Sequence, residues 1–199
     1  MEESVEEKFW EAARGGRVED VKDILKNNPA LDVNWKNEKI FGRSALHSAC
    51  YHSHDSIVYT LLAHHGINVN QMDKHGYTPF VVACNYGSTS CVRLLLQDSR
   101  VSPNERDDAG YTPLWWAACK VRPDVIKVWI ASGREMDLGK PGDAKTDAIG
   151  VAKQSGKTEM ATLLEKFKEN PGVTRHAVRV ELGLVSGVRK ELGITGEWN

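Results

Sequence analysis

Residues 76–84 read GYTPFVVAC and residues 110–119 read GYTPLWWAAC, 34 residues later. GRSALHSAC, starting at Gly42, stands 34 residues before the first of them. The segments that follow stay in the same frame: GRSALHSACYHSHDSIVYTLL lies over GYTPFVVACNYGSTSCVRLLL and over GYTPLWWAACKVRPDVIKVWI without a gap. A fixed period of this length marks a chain built of stacked supersecondary units, each too small to bury its apolar face alone.

One period beyond the third copy, residues 145–164 (KTDAIGVAKQSGKTEMATLL) keep the frame with the pattern eroded, so that Thr146 falls in the place of Thr112. Upstream, residues 9–25 (FWEAARGGRVEDVKDIL) also fit, with three extra residues in the following loop around 38–40. Within each unit a glycine starts a turn. Ser44, Thr78, Thr112 or Thr146 then offers an N-cap hydroxyl, and Pro79 and Pro113 take the first helical position, where a missing N–H costs nothing. Leu114, Ala117 and Ala118 give the i, i+3, i+4 stripe of one buried helix face. A turn at Ser53, Gly87 or Val121 leads to a second helix carrying Ile57, Val58, Leu61 and Leu62, or Val125, Ile126, Trp129 and Ile130. The polar stretches HHGINVNQMDKHG and SRVSPNERDDAG read as extended fingers leading to the next unit.

The pattern resembles the ankyrin repeat over roughly residues 4–167. Gly76, Tyr77, Thr78, Pro79 and Phe80 carry the resemblance, with Ala83, Cys84, Gly87, Cys91, Val92, Leu95 and Leu96, and again Gly110 to Leu114 with Ala117 and Ala118. It implies an all-α solenoid of helix-turn-helix units with β-hairpin-like finger loops, and a binding groove between the fingers and the inner helices. It implies no chemistry and no cofactor. The units expected are an N-cap at 4–41, full repeats at 42–75, 76–109 and 110–143, and a C-cap at 144–167. Residues 168–199 are expected to form a short helical tail packed on the C-cap, because VRVELG at Val178 and VRKELG at Val188 read as short helices stopped by Gly183 and Gly193. Its rival role is a partner-binding segment anchored by Trp198. Three departures stand out: Ala45 replaces the proline, Val121 replaces the turn glycine, and Asp147 with Ala148 interrupts the TPL of the last unit.

Composition excludes several function classes. With 26 Lys and Arg against 27 Asp and Glu the net charge is −1, so the basic footprint of a nucleic-acid binder is missing. No apolar run approaches the roughly 18 residues of a membrane span, and the first residues lack the plan of a secretory signal. Cys50, Cys84, Cys91 and Cys119 form no CxxC pair, which reads as reduced thiols and a cytoplasmic or nuclear address. Phosphate-loop, GxSxG and HExxH patterns do not occur. On the helix from Ser44, His47 and Cys50 are three apart, but His52 lies off that face and His54 falls in the turn, so the convergent, roughly tetrahedral geometry of a zinc site is not expected. His47 occupies the family's TPLH position, where a local hydrogen bond is expected.

What remains is surface recognition by a monomer with a protein partner and neither nucleic acid nor membrane. At the place of Trp115 the other copies have His47, Val81 and Ile149, always bulky, which marks an inter-repeat packing position. At the place of Trp116 they have Ser48, Val82 and Gly150, so packing does not dictate that residue. Trp116 is therefore the candidate contact. Expected beside it in the groove are Arg43, Tyr51, His52, Tyr77, Asn85, Tyr86, Tyr111 and Lys120, with Lys74, His75 and Asp108 at the finger tips; Tyr, Trp and Arg dominate binding hot spots. The expected function is a non-catalytic adaptor or scaffold, the alternative an inhibitory or structural subunit docking on an enzyme.

Overall fold

The computed structural model describes residues 3–139 and 146–185. Among them are eleven α-helices and no strand. Five antiparallel pairs follow one another: α1 (Val5–Arg14) with α2 (Val18–Asn27), α3 (Ala45–Tyr51) with α4 (Asp55–Leu62), α5 (Pro79–Tyr86) with α6 (Thr89–Gln97), α7 (Pro113–Cys119) with α8 (Pro123–Ser132), and α9 (Ala148–Gln154) with α10 (Thr158–Glu169). A final helix, α11 (Pro171–Glu181), closes the described chain. The first helices of the pairs stack in one row, α1 on α3 on α5 on α7 on α9, and α2, α4, α6 and α8 stack in a second. The core lies between the rows, with Phe80 set edge-on against Trp129 at 5.0 Å and both fully buried. The result is a repeat solenoid.

Local rules explain the units. Thr78 and Thr112 cap α5 and α7, their hydroxyls accepting from Val81 N and Trp115 N at 3.2 Å, with proline next. Each pair turns through one left-handed residue: Gly16, Ser53, Gly87, Val121 and Gly156. Val121 holds φ 58°, a conformation that costs a β-branched residue about 1–3 kcal/mol. It is held there by the bond from Arg122 N to Ala117 O at 2.8 Å.

That closing bond also fixes the register. It runs to Ala49 O, Ala83 O and Ala117 O at intervals of 34, and then from Lys157 N to Ala152 O, one residue later than the period requires. The last unit is thus shifted by one, and the expectation of Thr146 as its cap is corrected. Asp147 caps α9, its Oδ1 accepting from Gly150 N at 2.8 Å. In the true frame Trp115 corresponds to Gly150, not Ile149, and Trp116 to Val151.

The fingers are stitched rather than paired as strands. Asp73 N bonds Tyr77 O at 2.9 Å and Asp107 N bonds Tyr111 O at 3.1 Å, closing each tip, while Asn37 and Arg43 form an isolated bridge. Consecutive tips are joined by Lys74 N to Phe41 O and Asp108 N to His75 O, at 2.9 and 3.2 Å. Gly76 is obligatory at φ 73°, since a Cβ there would stand 2.6 Å from Asp108 N. Behind the tips, the side-chain amides of Asn34, Asn70 and Asn104 each bond the loop of the next unit through both Nδ2 and Oδ1.

Outer-helix C-termini are also satisfied from the next unit. Arg100 Nη2 bonds Leu62 O, and Arg134 Nη1 bonds Leu96 O and Asp98 O. At α8 this duty passes to α11: Arg175 Nε bonds Ile130 O at 3.3 Å and Arg179 Nε bonds Ala131 O at 2.7 Å. Helix α11 packs on α8 as well as α10, burying Thr174 and Val178. It runs on directly from Asn170, whose side chain caps it, and ends before Gly183 at φ 66°. A chain ending at Asn170 should lose several degrees of melting temperature; an unchanged midpoint in a thermal scan would show that α11 contributes nothing to the array. The second copy from Val188 to Gly193 and Trp198 lie outside the described residues, as does most of 139–147.

Candidate functional site

The face between the fingers and the first-row helices carries Phe41, Tyr51, Tyr77, Tyr86, Tyr111, Trp115 and Trp116. Tyr77 and Tyr111 each stand one residue before the cap of α5 or α7, Thr78 or Thr112. The ring centroids form a continuous row: Phe41 to His75 at 5.3 Å, His75 to Tyr77 at 5.9 Å, Tyr77 to Trp116 at 5.7 Å, Trp116 to Tyr111 at 5.5 Å, and Tyr111 to Trp115 at 4.1 Å. A second row follows the helix ends, with Tyr51 against Tyr86 at 4.2 Å and against His52 at 4.7 Å.

Two buried carboxylates fix these rows, and sequence reasoning passed over both. Asp73 Oδ1 accepts from His75 N at 2.9 Å and Tyr77 N at 3.0 Å; Asp107 Oδ1 accepts from Ala109 N at 3.0 Å and Tyr111 N at 2.8 Å. The second oxygens act outward. Asp73 Oδ2 accepts from Arg43 Nε at 3.1 Å and Asp107 Oδ2 from Trp116 Nε1 at 2.8 Å. The 34-residue spacing of the two aspartates was the signal available in the sequence. Burial first, and then Asp107 and Asp73, push the Tyr77 phenol up to about 12.

Trp116 is accordingly half-buried and anchored to its own finger, with the Lys120 ammonium 5.7 Å from its ring centre. Its counterparts Ser48, Val82 and Val151 are all buried. Trp115 is half-buried too, its ring tilted against that of Tyr111, and its Nε1 meets no acceptor among the described residues. The earlier positions in its place explain what that indole resembles. Trp10 Nε1 bonds Arg43 O at 2.8 Å and His47 Nε2 reaches Tyr77 O at 2.8 Å, each clasping the carbonyl just before the next unit's cap. His47 also accepts from Ser44 N at 3.2 Å through Nδ1, so its proton sits on Nε2. Burial pulls its pKa down to about 4.

The other expected groove residues divide. Tyr51, His52, Tyr86 and Lys120 are exposed, and Tyr77 and Tyr111 half-buried. Arg43 and Asn85 are buried, Asn85 giving its carbonyl to Arg122 Nε at 3.2 Å. Burial first, then His54, Arg14 and Arg43, hold the His52 imidazole below its ordinary value. At the tips Lys74, His75 and Asp108 are exposed, and Lys74 is tied to Glu38 by an ion pair of 2.8 Å that lowers the Glu38 carboxyl.

A cavity of about 430 Å³ opens at the N-terminal end of this face. Its walls include Arg43, Tyr51, His52, His75 and Tyr86, all expected, together with Ile40 and Phe41, which were not. Ile40 belongs to the three-residue enlargement of the first finger, and Phe41 follows it in the place that His75 and Ala109 hold before the glycines of the next two units. That extra length, running into two adjacent large apolar residues, was the signal. The thiols of Cys50 and Cys84 lie in the core behind this face, where burial pushes them up. No helix among the described residues is long and apolar enough to cross a membrane.

In comparison with known families, the family model for ankyrin repeats in three copies fits residues 9–107 and, overlapping, 57–140. No curated protein matches the chain significantly.

Proposed function

This chain belongs to the ankyrin repeat family, whose members are in general protein–protein interaction modules, and from that premise we propose that it is a non-catalytic adaptor or scaffold. Residues 4–167 are the binding module. A protein segment lies along the face between fingers and first-row helices, over Tyr77, Tyr111 and Trp116. The observation that carries this reading is the unbroken row of rings from Phe41 to Trp115, which runs through four units while leaving its members partly open to solvent. Rigid aromatic side chains with one polar edge lose little entropy on contact and dominate interface energetics. Their geometry is set in advance by Asp73 and Asp107, so binding does not have to order them. The reading includes a reducing compartment, cytoplasmic or nuclear, supported by three unpaired thiols buried in the core.

The test is capture of partners by the intact chain, compared with the Tyr77→Ala, Tyr111→Ala and Trp116→Ala variants after circular dichroism has shown each to be folded. Each variant should lose at least about 1–2 kcal/mol of affinity for a partner that uses this face. Undiminished binding by all three refutes the assignment.

A further inference from the structure

We propose that the cavity bordered by Phe41, Arg43, Tyr51 and Tyr86 is the specificity pocket of this face, and that it takes an acidic peptide segment in which a carboxylate stands beside a large apolar side chain. The proposal rests on the binding reading above and adds to it the chemistry of the partner and the end of the groove that selects it.

Charge is the first argument. Two arginines line the cavity, with the imidazoles of His52 and His75 beside them as hydrogen-bonding groups, and no carboxylate does. The acid paired with Arg43, Asp73, is fully withdrawn: its side chain is 0% exposed, one oxygen is held by two backbone N–H groups, and the other by Arg43 Nε. Arg43 is nine-tenths buried beneath the pocket, its guanidinium 5.6 Å from the Phe41 ring centre and 5.3 Å from that of Tyr51. Only its Nε is bonded to an acceptor among the described residues, which leaves the fork of its terminal N–H groups for a ligand. An Arg fork in an aromatic setting is matched to a carboxylate. At the rim Arg14 stands over the Trp10 ring at 5.7 Å, and its own partner, Glu11, is a loose surface contact at 3.4 Å.

Apolar surface is the second. Phe41 is 53% exposed, and Ile40, Tyr51 and Tyr86 are exposed around it. Phe41 holds φ 56°, in the left-handed region that large L side chains avoid. A strained, solvent-facing aromatic beside the enlarged finger, at a position where the equivalent His75 and Ala109 are not left-handed, is a feature folding alone does not require. The aliphatic wall of Ile40 and the continuity with the long ring row favour an extended peptide over a compact anion.

A random peptide library displayed on phage and panned on the intact chain tests this. Enriched sequences should place Asp or Glu beside Phe, Trp, Leu or Ile. Synthetic copies should bind Phe41→Ala and Arg14→Glu about tenfold or more weakly than the wild type, and both side chains are open enough to be changed without touching the core. Replacing the peptide carboxylate by its amide should weaken wild-type binding and erase the difference between wild type and Arg14→Glu. No enrichment, enrichment of basic or uncharged sequences, or equal binding to Phe41→Ala overturns the proposal. Peptides that ignore Phe41→Ala but fail with Trp116→Ala overturn the pocket alone and leave the groove reading intact. The reverse pattern keeps the pocket and removes the Trp116 face from the groove.

Discussion

Replacing Asp73 by Ala should destabilise the protein by about 3–5 kcal/mol, the cost of leaving one member of a buried ion pair alone. Arg43 would remain nine-tenths buried with no counter-charge, and the N–H groups of His75 and Tyr77 would lose their acceptor. Asp73→Asn keeps an oxygen for those two N–H groups and should cost less. Pairing Asp73→Asn with Arg43→Leu should recover part of the loss, because removing both charges removes the stranded one. Asp107→Ala offers an internal comparison: its outer oxygen serves the neutral indole of Trp116, so its cost should be nearer about 1–3 kcal/mol. Urea denaturation of the four variants measures the order, and Asp107→Ala proving worse than Asp73→Ala would contradict it.

The second large effect is on acid stability. His47 is fully buried and neutral, with a folded pKa of about 4 against an ordinary 6.5. A group whose cationic form is disfavoured on folding binds more protons unfolded, so stability is complete above the unfolded value and is lost as pH falls from there to the folded one. The loss begins near pH 6.5, amounts to about 2 kcal/mol by pH 5, and levels off below pH 4 at about 3 kcal/mol. Carboxylates titrate over the lower half of this window, so the informative quantity is the difference between wild type and His47→Gln. That variant should be weaker near pH 7.5, where the clasp to Tyr77 O is impaired, and should fall less steeply between pH 6.5 and 5. Parallel curves would show that His47 does not titrate as described.

Most of the fold was legible because the period was nearly exact and because glycine, threonine and proline recur where a turn, a cap and a first helical position require them. The last unit was misplaced by one residue for a specific reason. Thr146 and Asp147 are adjacent and both are good caps, so the cap alone cannot set the register; the Ala152 to Gly156 interval, matching Ala83 to Gly87, does. The slip fed the comparison of the two tryptophans, since Gly150 in the place of Trp115 removes the rule that this position is always large. The half-buried state of Trp116 could not be read either. Its indole is drawn onto Asp107 nine residues earlier, and a polar residue in a polar loop gives no sign that it will be buried. Phe41 was passed over because its counterparts before the turn glycine, His75 and Ala109, share no property with it, and its left-handed backbone leaves no mark in the sequence.

The hand-over from α10 to α11 at the end of the second row has a consequence for how such a chain can lengthen. Arrays of this kind grow by duplication of whole units, each new copy meeting neighbours of its own kind. A duplicate of residues 76–109 placed at its own boundary would find the same asparagine, arginine and finger-tip partners that its parent has. A duplicate placed after Ser132 would instead have to claim carbonyls already held by Arg175 and Arg179. Helix α11 thus acts as a terminator, and any longer descendant of this protein should carry its extra copies in the interior, with the same two arginines still closing the end.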